Sequence, residues 1–328
     1  MKKNQLQIIT GIALLFFIQL GCDKSEAPVK PKPDGAALQA LTSTNIQTQT
    51  QRFVLDATTG GSIKGSKGAI LQFPANGLLT TAGVAVSGNV DIEFIEIYSR
   101  SSMLLAQKPS VGKRSDGNKE MLVSGGEFYV NVTKDGSALK PNGGYSIIVP
   151  TSNTGASTAG MNLFNGVEDC VDNVCNLVWQ EQDATRGIEV GQFQNVGGVY
   201  SAYYAFQNKF GWTNIDRWYS DPRPKSTIFV EVPEGYNNSN CAVFIAYSGV
   251  PPALGRFDKF DDKTRRFTEH YGLIPIGLNV HIILVSMAEN KISYAIKNVT
   301  ITENQVVVIN EVKTVTEEEL IKLINVLS

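Results

Sequence analysis

The stretch FGWTNIDRWYSD, from Phe210 to Asp221, packs two tryptophans, a tyrosine, an asparagine, an Asp-Arg pair and a glycine into twelve residues. Such a set can serve two kinds of chemistry. Trp212, Trp218 and Tyr219 can stack on the flat apolar face of a ligand such as a sugar ring, while Asn214, Asp216 and Arg217 supply hydrogen bonds. Trp, Tyr and Arg are also the residue types enriched at binding hot spots. These six residues are the candidate ligand-binding set. The same residues can instead build a structural corner. Gly211 suits a tight turn, and Asn214 and Asp216 can bond backbone groups that a turn leaves unpaired. The stretch follows the aromatic run VYSAYYAF and precedes the proline-rich DPRPKS. It is therefore expected chiefly to be a corner between two β regions, with Trp212 filling the core beneath.

Elsewhere the catalytic repertoire is thin. The two histidines, His270 and His281, sit in no metal-ligand or triad pattern, and neither Gly-x-Ser-x-Gly nor His-Glu-x-x-His occurs. A glycosidase needs only two carboxylates about 5–10 Å apart. Asp91, Glu93 and Glu96 share one strand, where solvent exposure is the plain expectation. Asp258, Asp261 and Asp262 lie in RFDKFDDKTRRF, a loop whose interleaved acids and bases neutralise each other. No catalytic residue, metal ligand or cofactor is assigned, and the chain is expected not to be an enzyme.

Cys170 and Cys175 bracket VDNV in an acidic loop, and a local disulfide is the expectation in an oxidising compartment. A metal site with Glu168, Asp169 and Asp172 is the alternative, weakened by the missing histidine and the absent paired Cys-x2-Cys spacing. Cys241 alternates in phase with Val243, Ile245 and Tyr247, as a buried small hydrophobe would.

Most apolar residues recur with period two. Val90, Ile92 and Phe94 alternate with polar residues, and the phase then slips at Ile95 and Ile97, which predicts a β-bulge or a strand buried on both faces. Phe128, Val130 and Val132 alternate with Glu127, Tyr129 and Asn131. Asp116-Gly117 and Asp135-Gly136 lie between such runs, where hairpin turns need positive φ. Only the C-terminus reads as a helix: Thr316-x-x-Glu319 is a capping box, followed by Leu320, Ile321, Ile324 and Leu327 at helical spacing. The predicted fold class is mainly β, with tandem antiparallel β-sandwich-like domains and a short C-terminal α-helix.

The N-terminus pairs Lys2 and Lys3 with an apolar run from Ile8 to Ile18, too short to span a bilayer. It ends at Gly21-Cys22, which resembles the lipobox of bacterial lipoproteins and implies lipid attachment at Cys22. Gln19 and Leu20 depart from the usual box, which favours Leu and a small residue at those places. Without Lys2 and Lys3, the 29 basic side chains become 27 against 31 acidic, a formal −4. That balance, with no basic stripe, argues against a nucleic-acid partner.

GGSIKGSKGAILQFPANGL (Gly60 to Leu78) resembles the opening of ZU5-type β domains. Ser115, Gly117, Leu122, Ser124, Gly125 and Gly126 are similar to a Ser-x-Gly turn and Leu-x-Ser-Gly-Gly strand of Bacteroidetes-type envelope lipoproteins. Gly211, Trp212, Asn214, Asp216, Arg217 and Trp218 match a Gly-Trp-x-Asn-x-Asp-Arg-aromatic signature of the same proteins. The resemblance covers roughly residues 55–220. It implies an exported, surface-facing β protein and assigns no catalytic residues.

The expected organisation is a signal peptide (1–21), a flexible tether (22–45), a ZU5-like β region with the Trp-rich corner (46–221), a second β-sandwich-like domain (222–312) and a C-terminal helical segment (313–328). The expected function is a non-enzymatic cell-envelope lipoprotein, held to the outer membrane by its N-terminal lipid and facing the periplasm or the surface. It would present β domains to another envelope protein or the cell wall. The alternative is a glycan-binding lipoprotein that uses exposed aromatics.

Overall fold

The computed structural model describes residues 32–153, 159–171, 174–182, 188–195, 198–250, 252–269 and 273–327. Cys22, the signal region, His270 and Asp172 lie outside them. In chain order come helix α1 (Gly35–Gln49) and strands β1 (Gln51–Asp56), β2 (Gly61–Lys64), β3 (Ile70–Phe73), β4 (Leu78–Thr80) and β5 (Asn89–Ile97). Helix α2 (Arg100–Leu105) precedes β6 (Val111–Lys113), β7 (Lys119–Lys134), β8 (Ser137–Pro141) and β9 (Tyr145–Pro150). Then follow β10 (Asn162–Val171), β11 (Val174–Glu181), β12 (Glu189–Asn195), β13 (Gly198–Gln207) and β14 (Gly211–Trp218). The last part holds β15 (Lys225–Ser226), β16 (Phe229–Glu231), β17 (Cys241–Tyr247), β18 (Leu254–Arg256), β19 (Lys259–Asp261) and β20 (Arg266–Thr268). It ends with β21 (Ile274–Pro275), β22 (Asn279–Ala288), β23 (Lys291–Thr300), β24 (Val306–Val308), β25 (Lys313–Val315) and helix α3 (Glu317–Asn325).

The fold is mainly β, with sandwich-like packing in both halves and a short C-terminal helix. In the first half, one face of β5 and β7 packs on the sheet β12-β13-β9-β3-β2 through Ile92, Phe94, Phe128, Val130, Tyr145, Ile147 and Tyr203. In the second, β17 and β22 pack on the sheet β19-β20-β16-β24 through Val243, Ile245, Ile282, Val230 and Val307. A third core joins them. The other faces of β17 and β22 (Phe244, Ile283, Val285) meet Ile95 and Ile97 of β5, with Met103–Leu105 of α2 and Leu320 and Ile324 of α3 between.

This third core explains the phase slip in β5: Ile95, Glu96 and Ile97 are buried together, so the strand is covered on both faces. Glu96 is accordingly not solvent-facing. Its carboxylate accepts from the amides of Lys67 (3.0 Å) and Ala69 (2.9 Å) and from Gln51 Nε2 (2.9 Å), closing the turn between β2 and β3. The Asp135-Gly136 hairpin forms as expected, both residues at positive φ (50° and 75°) where β7 turns into β8.

Two helices were not legible. Helix α1 occupies residues expected to be flexible tether. Just after Pro33, Asp34 caps the helix by accepting from Ala37 N at 3.0 Å, and Leu38, Leu41 and Ile46 join the third core. Helix α2 is capped by Ser99, whose side chain accepts from Ser102 N. The C-terminal helix carries the predicted capping box, Glu319 N to Thr316 Oγ1 at 3.2 Å and Thr316 N to Glu319 Oε2 at 2.9 Å. Arg100, 4% exposed, ties α2 to its surroundings by donating to the carbonyls of Tyr247 (2.6 Å), Val250 (3.0 Å), Ala253 (3.2 Å) and Leu327.

Candidate functional site

The expected corner is a strand. β14 runs antiparallel to β7 on one side and β10 on the other, so its backbone is paired along both edges. Thr213, Ile215 and Arg217 point one way; Trp212, Asn214, Asp216 and Trp218 point the other. The register against β7 shifts between Asn214, opposite Glu127, and Asp216, opposite Ser124. Gly125 and Gly126 fill that irregularity. A Cβ on Gly125 would stand 2.6 Å from Ile215 O, and one on Gly126 would stand 2.7 Å from the Tyr98 ring. The Ser-Gly-Gly triplet is thus a β-bulge forced by close approach.

The bulge assembles a buried polar cluster. Ser124, Glu127, Asn214 and Asp216 all show 0% exposure. Asp216 Oδ1 accepts from Gly125 N (3.2 Å), its Oδ2 from Asn214 Nδ2 (2.6 Å), and Asn214 Oδ1 accepts from Ser124 Oγ (3.2 Å). Both carboxyl oxygens of Glu127 lack a hydrogen-bond partner among the described residues. Burial pushes the Asp216 carboxyl up to about 8, against the hydrogen bonds from Ser124, Gly125 and Asn214. Burial, then the nearby Asp216 charge, raises Glu127 well above the carboxylate range, with Lys108 acting in the opposite sense. Burial in turn lowers Lys108. Both carboxyls are thus shifted toward the protonated form, and both are fully buried.

The aromatic residues fill a small closed barrel. β6 pairs in parallel with β11 and antiparallel with β7, so β7-β14-β10-β11-β6 returns on itself. Leu122, Phe164 and Trp179 are fully buried inside, and Leu177, Trp212 and Trp218 pack against them. On β6, Gly112 makes room: its Cβ would lie 2.6 Å from the Trp218 ring. Trp218 is further fixed by Arg114, 4.0 Å from its ring centroid, by Phe164 edge-on at 5.5 Å, and by Nε1 donating to Glu181 Oε2 at 2.9 Å. Trp212 lies against Tyr129 (5.2 Å) and Trp179 (6.4 Å), with Lys108 Nζ 5.2 Å from its ring. Tyr219 packs edge-on against Tyr247 at 5.0 Å.

The six candidate residues therefore separate. Asn214 and Asp216 belong to the buried network, Trp212 and Trp218 to the barrel, Tyr219 to the second sandwich. Arg217 lies on the opposite face, beside Val123, and its Nε is buried without a hydrogen-bond partner among the described residues. Trp212 and Trp218 pack on the barrel interior and Tyr219 on the core of the second sandwich. Cys170 and Cys175 are disulfide-bonded across the β10–β11 hairpin. Cys241 is a buried free thiol, raised by burial, and donates to Asn237 O at 3.2 Å. His281 is buried within β22, opposite Ala246 of β17.

Sequence reasoning missed Glu127, Lys108 and Lys119. Lys119, 7% exposed, bridges Asp169 (2.7 Å) of the barrel and Asp258 of the second sandwich. Glu127 sits on the polar phase of its strand, so nothing local signalled that this face is covered. The available signal was the glycine pair just before it, which marks an irregular and crowded stretch. No family model matches the chain, and no curated protein or solved structure matches it.

Proposed function

We propose that the chain is a non-enzymatic, lipid-anchored cell-envelope protein that holds a layered β body toward an envelope protein or the cell wall. One observation carries this reading: the residues best equipped for chemistry are consumed by packing. Asp216 and Glu127 are sealed, Trp218 is held against Phe164 and the buried Trp179 cluster, and Trp212 keeps only part of its ring uncovered. The Cys170–Cys175 disulfide supports an oxidising compartment. The order Lys2-Lys3, apolar run and Gly21-Cys22 supports export and lipid attachment, and the resemblance to Bacteroidetes-type envelope lipoproteins points to the outer membrane.

Detergent phase separation tests the anchor. The full chain partitions into the detergent phase when expressed in a lipoprotein-processing bacterium, and Cys22→Ala moves it to the aqueous phase. A Cys22→Ala chain that stays with detergent contradicts the assignment.

A further inference from the structure

Between the mouth of the barrel and the edge of the first sandwich runs an open groove of about 810 Å3. Cavities that take small ligands span ~300–1,000 Å3. Its lining includes the half-buried rings of Phe206, Phe210 and Trp212 and the side-chain amides of Asn165, Gln180, Gln182 and Asn208. A second groove of about 620 Å3 continues from it, sharing Gly143, Gly144 and Phe206.

The amides are pre-positioned. Gln182 Nε2 donates to Asn165 Oδ1 (2.7 Å) and Gln207 Oε1 (3.0 Å). Gln207, 1% exposed, donates to Thr213 Oγ1 (2.5 Å), which donates to Phe164 O (3.0 Å). This relay fixes two side chains at the groove from beneath. It uses the Asn165 carbonyl and the Gln182 amino group, leaving Asn165 Nδ2 as a donor and Gln182 Oε1 as an acceptor with no partner among the described residues. Charge is scarce in the lining. Glu181 is occupied by Trp218 and by Asn162 Nδ2 (2.6 Å), so Lys209 stands as the other charged side chain there.

Fixed amides that pair with hydroxyls, ring surface for stacking, and little net charge are complementary to a neutral, hydroxyl-rich, ring-shaped ligand. The continuation into the second groove favours a chain over a single ring. We infer that this groove binds a neutral oligosaccharide, with Trp212 and Phe206 as stacking surfaces and Asn165, Gln182, Gln180 and Asn208 as hydroxyl partners. This deepens the envelope reading, on which it rests only for where such a ligand is met. It moves glycan recognition from the stretch Trp212–Tyr219 to a site that takes Trp212 alone from that stretch.

The test is calorimetric titration of the full chain in detergent with chitohexaose, cellohexaose, xylohexaose, mannohexaose and maltohexaose. At least one is expected to bind. Gln180 and Asn208 are exposed and make no bonds that hold the fold, so Gln180→Ala/Asn208→Ala leaves the melting temperature unchanged. Removing two neutral hydrogen bonds weakens binding about tenfold. Asn165→Leu, close in shape, weakens it similarly. Failure of all five sugars to bind overturns the proposal, as does binding that neither variant changes. If phase separation supports the anchor and no sugar binds, the groove assignment fails alone. If a sugar binds and Cys22→Ala stays with detergent, the anchor assignment fails alone.

Discussion

Asp216 sits where a carboxylate is hard to keep charged, yet it accepts two hydrogen bonds that any acceptor oxygens there would need. Its titration makes stability depend on pH with a defined sign. The ordinary value is 3.8 and the folded value about 8, so the folded state holds the proton more tightly. The stabilisation is full below about pH 4 and is lost as pH rises toward 8. Glu127 acts in the same direction. The melting temperature is therefore expected to fall between pH 5 and pH 8, and Asp216→Asn to shallow that fall. The variant can fold because Asn214 can flip its amide to accept from the new Nδ2, turning its own amino group toward Ser124. A wild-type melting temperature that rises across this range, or an unaltered slope in Asp216→Asn, contradicts the assignment. At this scale the sequence offered the right residues: Ser124, Asn214 and Asp216 all belong to motifs visible in the chain, and Asp216 does bond a backbone amide, although that amide is Gly125 N of a distant bulge and not part of a local turn.

β14 shows why an element can be misread even when its periodicity is present. Trp212, Asn214, Asp216 and Trp218 alternate with Thr213, Ile215 and Arg217, a clean period of two. Polar residues at two of four positions on one face, after a glycine and before two prolines, suggest a turn. The strand forms because its backbone pairs with β7 and the bulge brings Ser124 and Gly125 to the polar side chains, Ser124 bonding Asn214 and Gly125 N bonding Asp216. The hydrophobic strands carried no such conflict, which is why β5, β7, β13 and β17 were legible. Helices α1 and α2 were not, because their apolar faces are short and gain stability from the third core rather than from themselves. Barrel closure makes a prediction for this element. Trp212→Ala opens space beside Trp179 and Tyr129 and is expected to cost about 3 kcal/mol, near the low end for such changes because the ring is only partly covered. Trp218→Ala additionally loses the Arg114 and Glu181 contacts and is expected to cost a similar amount. Thermal unfolding of both variants checks this; unchanged melting of both would return these rings to the role of a ligand platform.

Across the whole molecule, β5 and β7 lie between two cores, and β17 and β22 do the same in the second half. The expected division near residue 222 corresponds to a change of sheet, but not to a break in packing. Arg100, Lys119 and the third core connect the halves, and all are long-range contacts that no local pattern reports. β14 then occupies a central place, with β7 on one edge and β10 on the other. Amide hydrogen exchange on the full chain tests this most directly. Residues 211–218 are predicted to exchange as slowly as the centre of β7, since their opening requires the barrel to come apart. Exchange of that segment as fast as the exposed Asp116-Gly117 turn would contradict the account, because a mobile or solvent-facing Trp-rich segment cannot be the wall of a closed barrel.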